Sequence, residues 1–209
     1  PNQGDGLAVS NDGRFVAFRP DASHLLGLAG GTEHIHVQDL QTGAIELASR
    51  TAAGAIPPSG VVAPTTHPLS ADGRDLAFQT NAAGIVPGNS GGTILVYVRD
   101  RNTGSNQLVS IAAGGAAANS QSDIAAISPN GRFVSFRSFA SNLGGSGFLS
   151  RVYVHDRTTG STTPVPLPVV GGNTAGGCRE SDVSNAGTVV LTCFFSVLQD
   201  QVFLHLPGQ

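Results

Sequence analysis

Four sets of residues in this chain carry side chains able to do chemistry. Gly88-Asn-Ser-Gly-Gly92 fits the G-x-S-x-G spacing of a serine nucleophile turn, but such a turn sits between a strand and a helix, and no helical period follows Ser90. His34 and His36 stand two apart, a spacing open to a metal ion. Asp39, Asp100 and Asp156 each stand four residues before a glycine (Gly43, Gly104, Gly160), and a carboxylate there suits a hard cation or acid–base work. Cys178 and Cys193 are the only cysteines.

The elements that must position these residues recur along the chain. Ser128-Pro-Asn-Gly-Arg-Phe-Val-Ser-Phe136 and its follower Val152-Tyr-Val-His-Asp-Arg-Thr-Thr-Gly160 return as Ser70-Ala-Asp-Gly-Arg-Asp-Leu-Ala-Phe78 with Val96-Tyr-Val-Arg-Asp-Arg-Asn-Thr-Gly104. They return again as Ser10-Asn-Asp-Gly-Arg-Phe-Val-Ala-Phe18 with Ile35-His-Val-Gln-Asp-Leu-Gln-Thr-Gly43, and in outline as Ser184-Asn-Ala-Gly-Thr-Val-Val-Leu191 with Val202-Phe-Leu-His-Leu-Pro-Gly208. A period of this length marks a repeat architecture. Each unit alternates apolar and polar residues in short runs rich in Val, Phe and Tyr, separated by Gly- and Asp-containing turns, which predicts four short antiparallel strands per unit. No segment shows a 3.6-residue apolar period, so a parallel α/β fold is excluded.

Four strands per unit of this size is the pattern of β-propeller blades. The expected fold is all-β, a single propeller domain over 1–209 with four visible blades, about 6–50, 66–112, 122–168 and 178–209, the last with three strands. The motif Ser-x-Asp/Asn-Gly-Arg-x-Val-x-Phe followed by Val-Tyr-Val-x-Asp-Arg-x-Thr-Gly resembles the TolB-type (WD40-like) propeller repeat of secreted bacterial proteins. The resemblance runs over essentially the whole chain, with units two and three the best matches and unit four the weakest. It implies a propeller fold and a compartment outside the cytoplasm; such propellers serve many unrelated roles, so it implies no activity.

In that frame most of the candidate chemistry has a structural reading. Asp39, Asp100 and Asp156 take equivalent places in different blades and cap Asx turns, so they lie far apart rather than paired. His36 replaces the tyrosines of the other third strands as a core aromatic. His155 and His205 share a position with Gln38 and Arg99, a variation that reads as a solvated rim or channel, and Arg99, His155 and His205 are the candidate ligand-binding residues there. The loops His24-Leu-Leu-Gly-Leu-Ala-Gly-Gly31, Gly84 to Gly92 and Asn142-Leu-Gly-Gly-Ser-Gly147 lack carboxylates, so calcium is not supported, and neither catalytic nor metal residues are assigned.

Composition narrows the function classes. A net charge of -3 with 12% charged residues gives no electrostatic case for nucleic acid or an anionic membrane, and the apolar runs are too short to span a bilayer. The chain starts at Pro1 and is rich in small residues, which suits a processed, secreted protein; removal of an initiator Met is the alternative. Cys178 and Cys193 lie equally far from the centre of the turn Ser184-Asn-Ala-Gly187, so the hairpin folds them together as a disulfide unless the register slips and leaves two thiols. The fourth unit ends after its third strand, leaving an edge with Val202, Phe203 and Leu204 for self-association or for another protein. The expected function is a non-catalytic structural or interaction propeller in an extracellular, periplasmic or particle-surface assembly. A glycan- or peptide-binding propeller, or the propeller part of a larger secreted enzyme, is the alternative.

Overall fold

The computed structural model of the chain describes residues 8–20, 34–58, 67–145, 149–195 and 198–207. Every regular element among them is a strand. The first blade is a four-stranded antiparallel sheet of β1 (Ala8–Val9), β2 (Phe15–Phe18), β3 (His36–Asp39) and β4 (Ile45–Leu47), in chain order. The second contains β5 (Asp75–Thr80), β6 (Leu95–Asp100) and β7 (Ser105–Leu108). Its expected first strand is reduced to the bridge Leu69–Leu76, next to Pro68, which has no N–H to extend the ladder. The third blade is again four-stranded, with β8 (Ser122–Ile127), β9 (Phe133–Ser138), β10 (Arg151–Asp156) and β11 (Ser161–Pro164).

Between the third and fourth blades lies a small hairpin that the repeat pattern did not suggest, β12 (Val169–Val170) and β13 (Asn173–Thr174). Its turn is Gly171-Gly172, with φ of 57° and 81°, a conformation that glycine adopts without strain. Among the described residues the fourth blade has three strands, β14 (Gly177–Val183), β15 (Val189–Phe195) and β16 (Leu198–His205).

The repeated motif builds the same hairpin end each time. In the third blade the Ser128 hydroxyl donates to Asn130 Oδ1 at 2.8 Å and accepts from Phe133 N at 2.9 Å, while Gly131 turns the chain at φ 73°. Ser10 and Ser70 make the same pair of bonds. Backbone closure runs from Ser10, Ser70 and Ser128 to the residue five positions on, but from Ser184 to Thr188, so the fourth turn is one residue shorter. The hairpin ends lie side by side along an inner rim. Asn11 N donates to Ala71 O and Ala71 N to Pro129 O, both at 2.8 Å, and Asn130 N donates to Asn185 Oδ1 at 2.8 Å.

Blades stack face to face on two apolar clusters. One joins the first three blades around Leu76, Phe78, Tyr97, Val134 and Phe136; the other joins blades three and four around Val152, Val165, Val189 and Leu191. Burial of both faces of the third strands holds in β6, where 95–99 are all buried, and His36 is the core aromatic expected. It stacks on Phe18 at 5.9 Å, as Tyr97 does on Phe78 and Tyr153 on Phe136 at 5.7 Å. In β16 the expectation fails on one face, where Val202 and Leu204 are exposed because no further blade among the described residues covers them.

Candidate interaction site

The aspartates cap turns as expected, but they also do something the spacing did not reveal. Asp39, Asp100 and Asp156 each accept from the backbone N–H two residues on, at 2.9 Å. Each also pairs with the arginine that follows its blade's turn glycine: Arg14–Asp39 at 2.7 Å, Arg74–Asp100 at 2.6 Å and Arg132–Asp156 at 2.8 Å. The arginine side-chain hydrogen bond is the main reason each carboxyl sits below the usual range, down to about 2 for Asp100. These charges clamp the second strand of each of the first three blades to the third. Two positions repeated in the first three motifs, the Arg and the Asp, were the signal available for this pairing.

A second arginine latches the second and third blades each to the one before it. Arg157 donates to Gly131 O at 2.6 Å in its own blade, and reaches Gln107 Oε1 at 2.9 Å and Asp75 at 3.1 Å in the second blade. Arg101 does the same with Gly73 O and with Glu46 of the first blade, its guanidinium 4.5 Å from the Phe15 ring centroid. In the fourth blade this place is held by Pro207.

Arg99 and His155 are not on a solvated rim. Both are buried between blades because their strand position faces the preceding sheet. Arg99 donates to Gly104 O at 2.9 Å and Asn106 Oδ1 at 3.1 Å. His155 Nδ1 lies 3.0 Å from Thr162 Oγ1, and burial pushes the imidazole down to about 4. His205, half-buried on β16, borders an open groove instead. The three therefore do not form one binding site. Ser90 lines a separate shallow groove of 310 Å³ that has neither histidine nor carboxylate on its walls. Of the three carboxylate-free loops, 24–31 falls outside the described residues, as does the end of the third, 146–147.

The inner strands surround a cavity of 370 Å³ whose walls include Val9, Leu69, Ile127 and Val183, with His67 and Asp182 paired at 3.3 Å. This is the central space of the arc, mostly apolar.

The fourth blade's outer end is where the structure leaves backbone and apolar surface open. Its hairpin is stapled by a Cys178–Cys193 disulfide, with Cα atoms 4.0 Å apart and both residues buried. The pairing comes from two offsets that cancel. Near the short turn the register is Val183↔Val189 and Ser181↔Leu191, one step from the symmetric fold-over, and a β-bulge between 178 and 181 restores Cys178↔Cys193. The third blade has the same bulge, between Asp123 and Ala126, where Ile124 takes φ 48°, and Ser122 and Ser138 stand at the equivalent places. Their hydroxyls are hydrogen-bonded at 2.8 Å, so the disulfide replaces a polar staple.

Val202 is 70% and Leu204 63% exposed, whereas Val152 and Val154 at the same places in the third blade are 1% and 9% exposed, covered by blade four. Val190, paired with Leu204 across the sheet, adds a third exposed apolar side chain. Single exposed apolar residues are ordinary; these three sit together on one sheet face.

No family model and no curated protein matches the chain. Solved structures are. TolB from Acinetobacter baumannii aligns over 98% of this chain and 41% of its own, at 17% identity and a TM-score of 0.61. A putative TolB from Agrobacterium tumefaciens aligns over 96% and 60%, at 17% identity and TM-score 0.58. Porphyromonas gingivalis dipeptidyl peptidase 4 aligns over 98% and 31%, at 12% identity and TM-score 0.56. The chain thus spans between two fifths and three fifths of the length of the TolB chains it matches. With the repeated blades, the hairpin clamps and these likenesses together, the chain has a TolB-like β-propeller fold.

Proposed function

We propose that this chain is a non-catalytic interaction propeller, docking on another protein or on its own copies through the outer end of its fourth blade, in an extracellular, periplasmic or particle-surface assembly. The observation that carries this is the apolar face of Val190, Val202 and Leu204, exposed at places that the third blade keeps covered. A buried disulfide in the same blade supports an oxidising compartment. Among the described residues no helix is long and apolar enough to cross a membrane. Light scattering over a concentration series is the test, with Val202→Asp/Leu204→Asp as the comparison. The wild-type chain is expected to associate and the double variant to stay monomeric with its disulfide intact. A strictly monomeric wild type, on which the double variant changes neither association nor binding of an apolar dye, overturns the proposal.

A further inference from the structure

We infer that the outer edge of β16 is a receptor for one extended polypeptide segment, which enters antiparallel to β16 as a fourth strand of the blade and buries alternate apolar side chains against blade three. The inference rests on the interaction reading above and names what kind of partner chemistry the site takes.

Three observations carry it. The first is backbone. In the other blades the residue at the Val202 place turns its carbonyl outward to the fourth strand: Ile35 O accepts from Ala48 N at 2.8 Å, Val96 O from Val109 N at 3.0 Å and Val152 O from Val165 N at 2.8 Å. Among the described residues no strand pairs with that side of β16. An unpaired strand edge of this kind is a template for another strand.

The second is a groove already shaped for the newcomer. Beside β16 lies an opening of 360 Å³, walled on one side by Val154, Thr163 and Val165 of blade three and on the other by Gly187, His205 and Pro207 of blade four. It adjoins β11, where a fourth strand of blade four would stack. The groove's walls are mainly apolar or hydroxyl-bearing and carry one carboxylate, Asp156, already clamped by Arg132.

The third is a template for the occupant. The chain's own fourth strands place Leu47 and Leu108 opposite His36 and Tyr97, the places equivalent to Phe203, and Ile45 opposite Gln38, the place equivalent to His205. Two residues beyond each leucine, Ser49 and Ser110 accept from the N–H of Ile35 and Val96 at 3.1 and 3.0 Å. The segment taken as the template is therefore that of the first blade, Ile45-Glu-Leu-Ala-Ser49, whose Leu and Ser recur in the second blade while Asn106 and Thr162 stand at the Ile45 place in blades two and three. The Leu–Ile side of the strand fills the groove and the backbone supplies the ladder.

The probe is a fluorescent peptide of this chain's own residues 44–50, Ala-Ile-Glu-Leu-Ala-Ser-Arg, titrated against the whole protein by anisotropy. Saturable binding is expected, weakened about tenfold or more by Asp at the peptide's Ile and Leu positions. Two protein variants should do the same: Val202→Pro, which removes an outward N–H without touching the β15 ladder, and Thr163→Trp, which fills the groove from blade three. Circular dichroism and intact disulfide confirm that both variants fold. Absence of binding by the wild type, or equal binding by both variants, overturns the inference. If the peptide fails while Val202→Asp/Leu204→Asp still abolishes association, the strand receptor falls and the broader docking reading stands; if neither has an effect, both fall.

Discussion

Arg132 grips Asp156 through two parallel hydrogen bonds, Nε to Oδ1 at 3.0 Å and Nη2 to Oδ2 at 2.8 Å, and so ties the second strand of the third blade to its third. Arg14 holds Asp39 in the same two-armed way. The fourth blade, whose turn is one residue shorter, has Thr188 and Leu206 in this region and no such clamp among its described residues. The clamps give the fold a specific acid sensitivity. Asp39, Asp100 and Asp156 all ionise more readily when folded than their ordinary value near 3.8. Their contribution is complete above that value and is lost as pH falls through the folded one, about 2 for Asp100. Chemical denaturation from pH 5 to pH 2 should show stability falling mainly below pH 4, and Asp100→Asn should flatten the fall. An unchanged slope in that variant contradicts the assignment.

A second pH window belongs to His155. Folding holds its imidazole at about 4, below the ordinary 6.5, so the unfolded chain takes up the proton first. Stability should therefore decline as pH drops from about 6.5 towards 4, with His36 and His34, also lowered by burial, adding to it. His155→Gln, which copies Gln38 of the first blade, should reduce the slope of denaturation midpoint against pH between 7 and 4.5. A slope equal to wild type would show that His155 is not responsible.

Replacing Cys178 and Cys193 by serine recreates the pair found at Ser122 and Ser138. Losing the staple across a separation of 15 residues costs about 3 kcal/mol, and a serine hydrogen bond returns about 1 kcal/mol of it. Urea unfolding of the double variant should therefore show a net loss of about 2 kcal/mol. Wild-type protein under reductant should lose more, because two buried thiols make no comparable bond. Equal losses would mean that the serine pair does not form.

Arg157 joins blade three to blade two through Gly131, Gln107 and Asp75. Arg157→Ala should destabilise by about 1.5–3 kcal/mol, the range for hydrogen bonds to a charged group. Arg157→Lys should recover little, since an ammonium cannot span three acceptors in a planar fork. Full rescue by lysine, read from thermal or urea unfolding, would reduce the latch to simple charge attraction.

The hairpins, the strand counts of the first, third and fourth blades, the aromatic nature of the His36 place and the cysteine pair were legible in the chain because each depends on local spacing. A glycine after Asp or Asn, an alternation of Val and Phe and the distance from a turn are properties of neighbouring residues. What was not legible depends on neighbours far apart. Arg99 and His155 looked like rim residues because their type varies, yet variation there reflects what the adjoining sheet accommodates. The Arg14–Asp39 class of clamp joins positions about 25 residues apart, and Arg157 reaches some 80 residues back to Asp75; both were visible as repeated letters but not as partners. The cysteine pairing came out right although the hairpin is not symmetric about its turn, since the bulge near 178 offsets the short loop. The hairpin at 169–174 shows the reverse case, a Gly-Gly turn between two valines and Asn-Thr, passed over because it belongs to no repeat.

The inner rim holds its joints in two different currencies of information. From blade one to two and from two to three, the link is main chain to main chain, Asn11 to Ala71 and Ala71 to Pro129. Substituting Asn11 or Ala71 leaves these rim bonds standing, because they run through the main chain. The joint from three to four runs through the side chain of Asn185. At the inner rim, then, the seat of the last blade depends on the identity of one residue in a way that the seats of the first three do not.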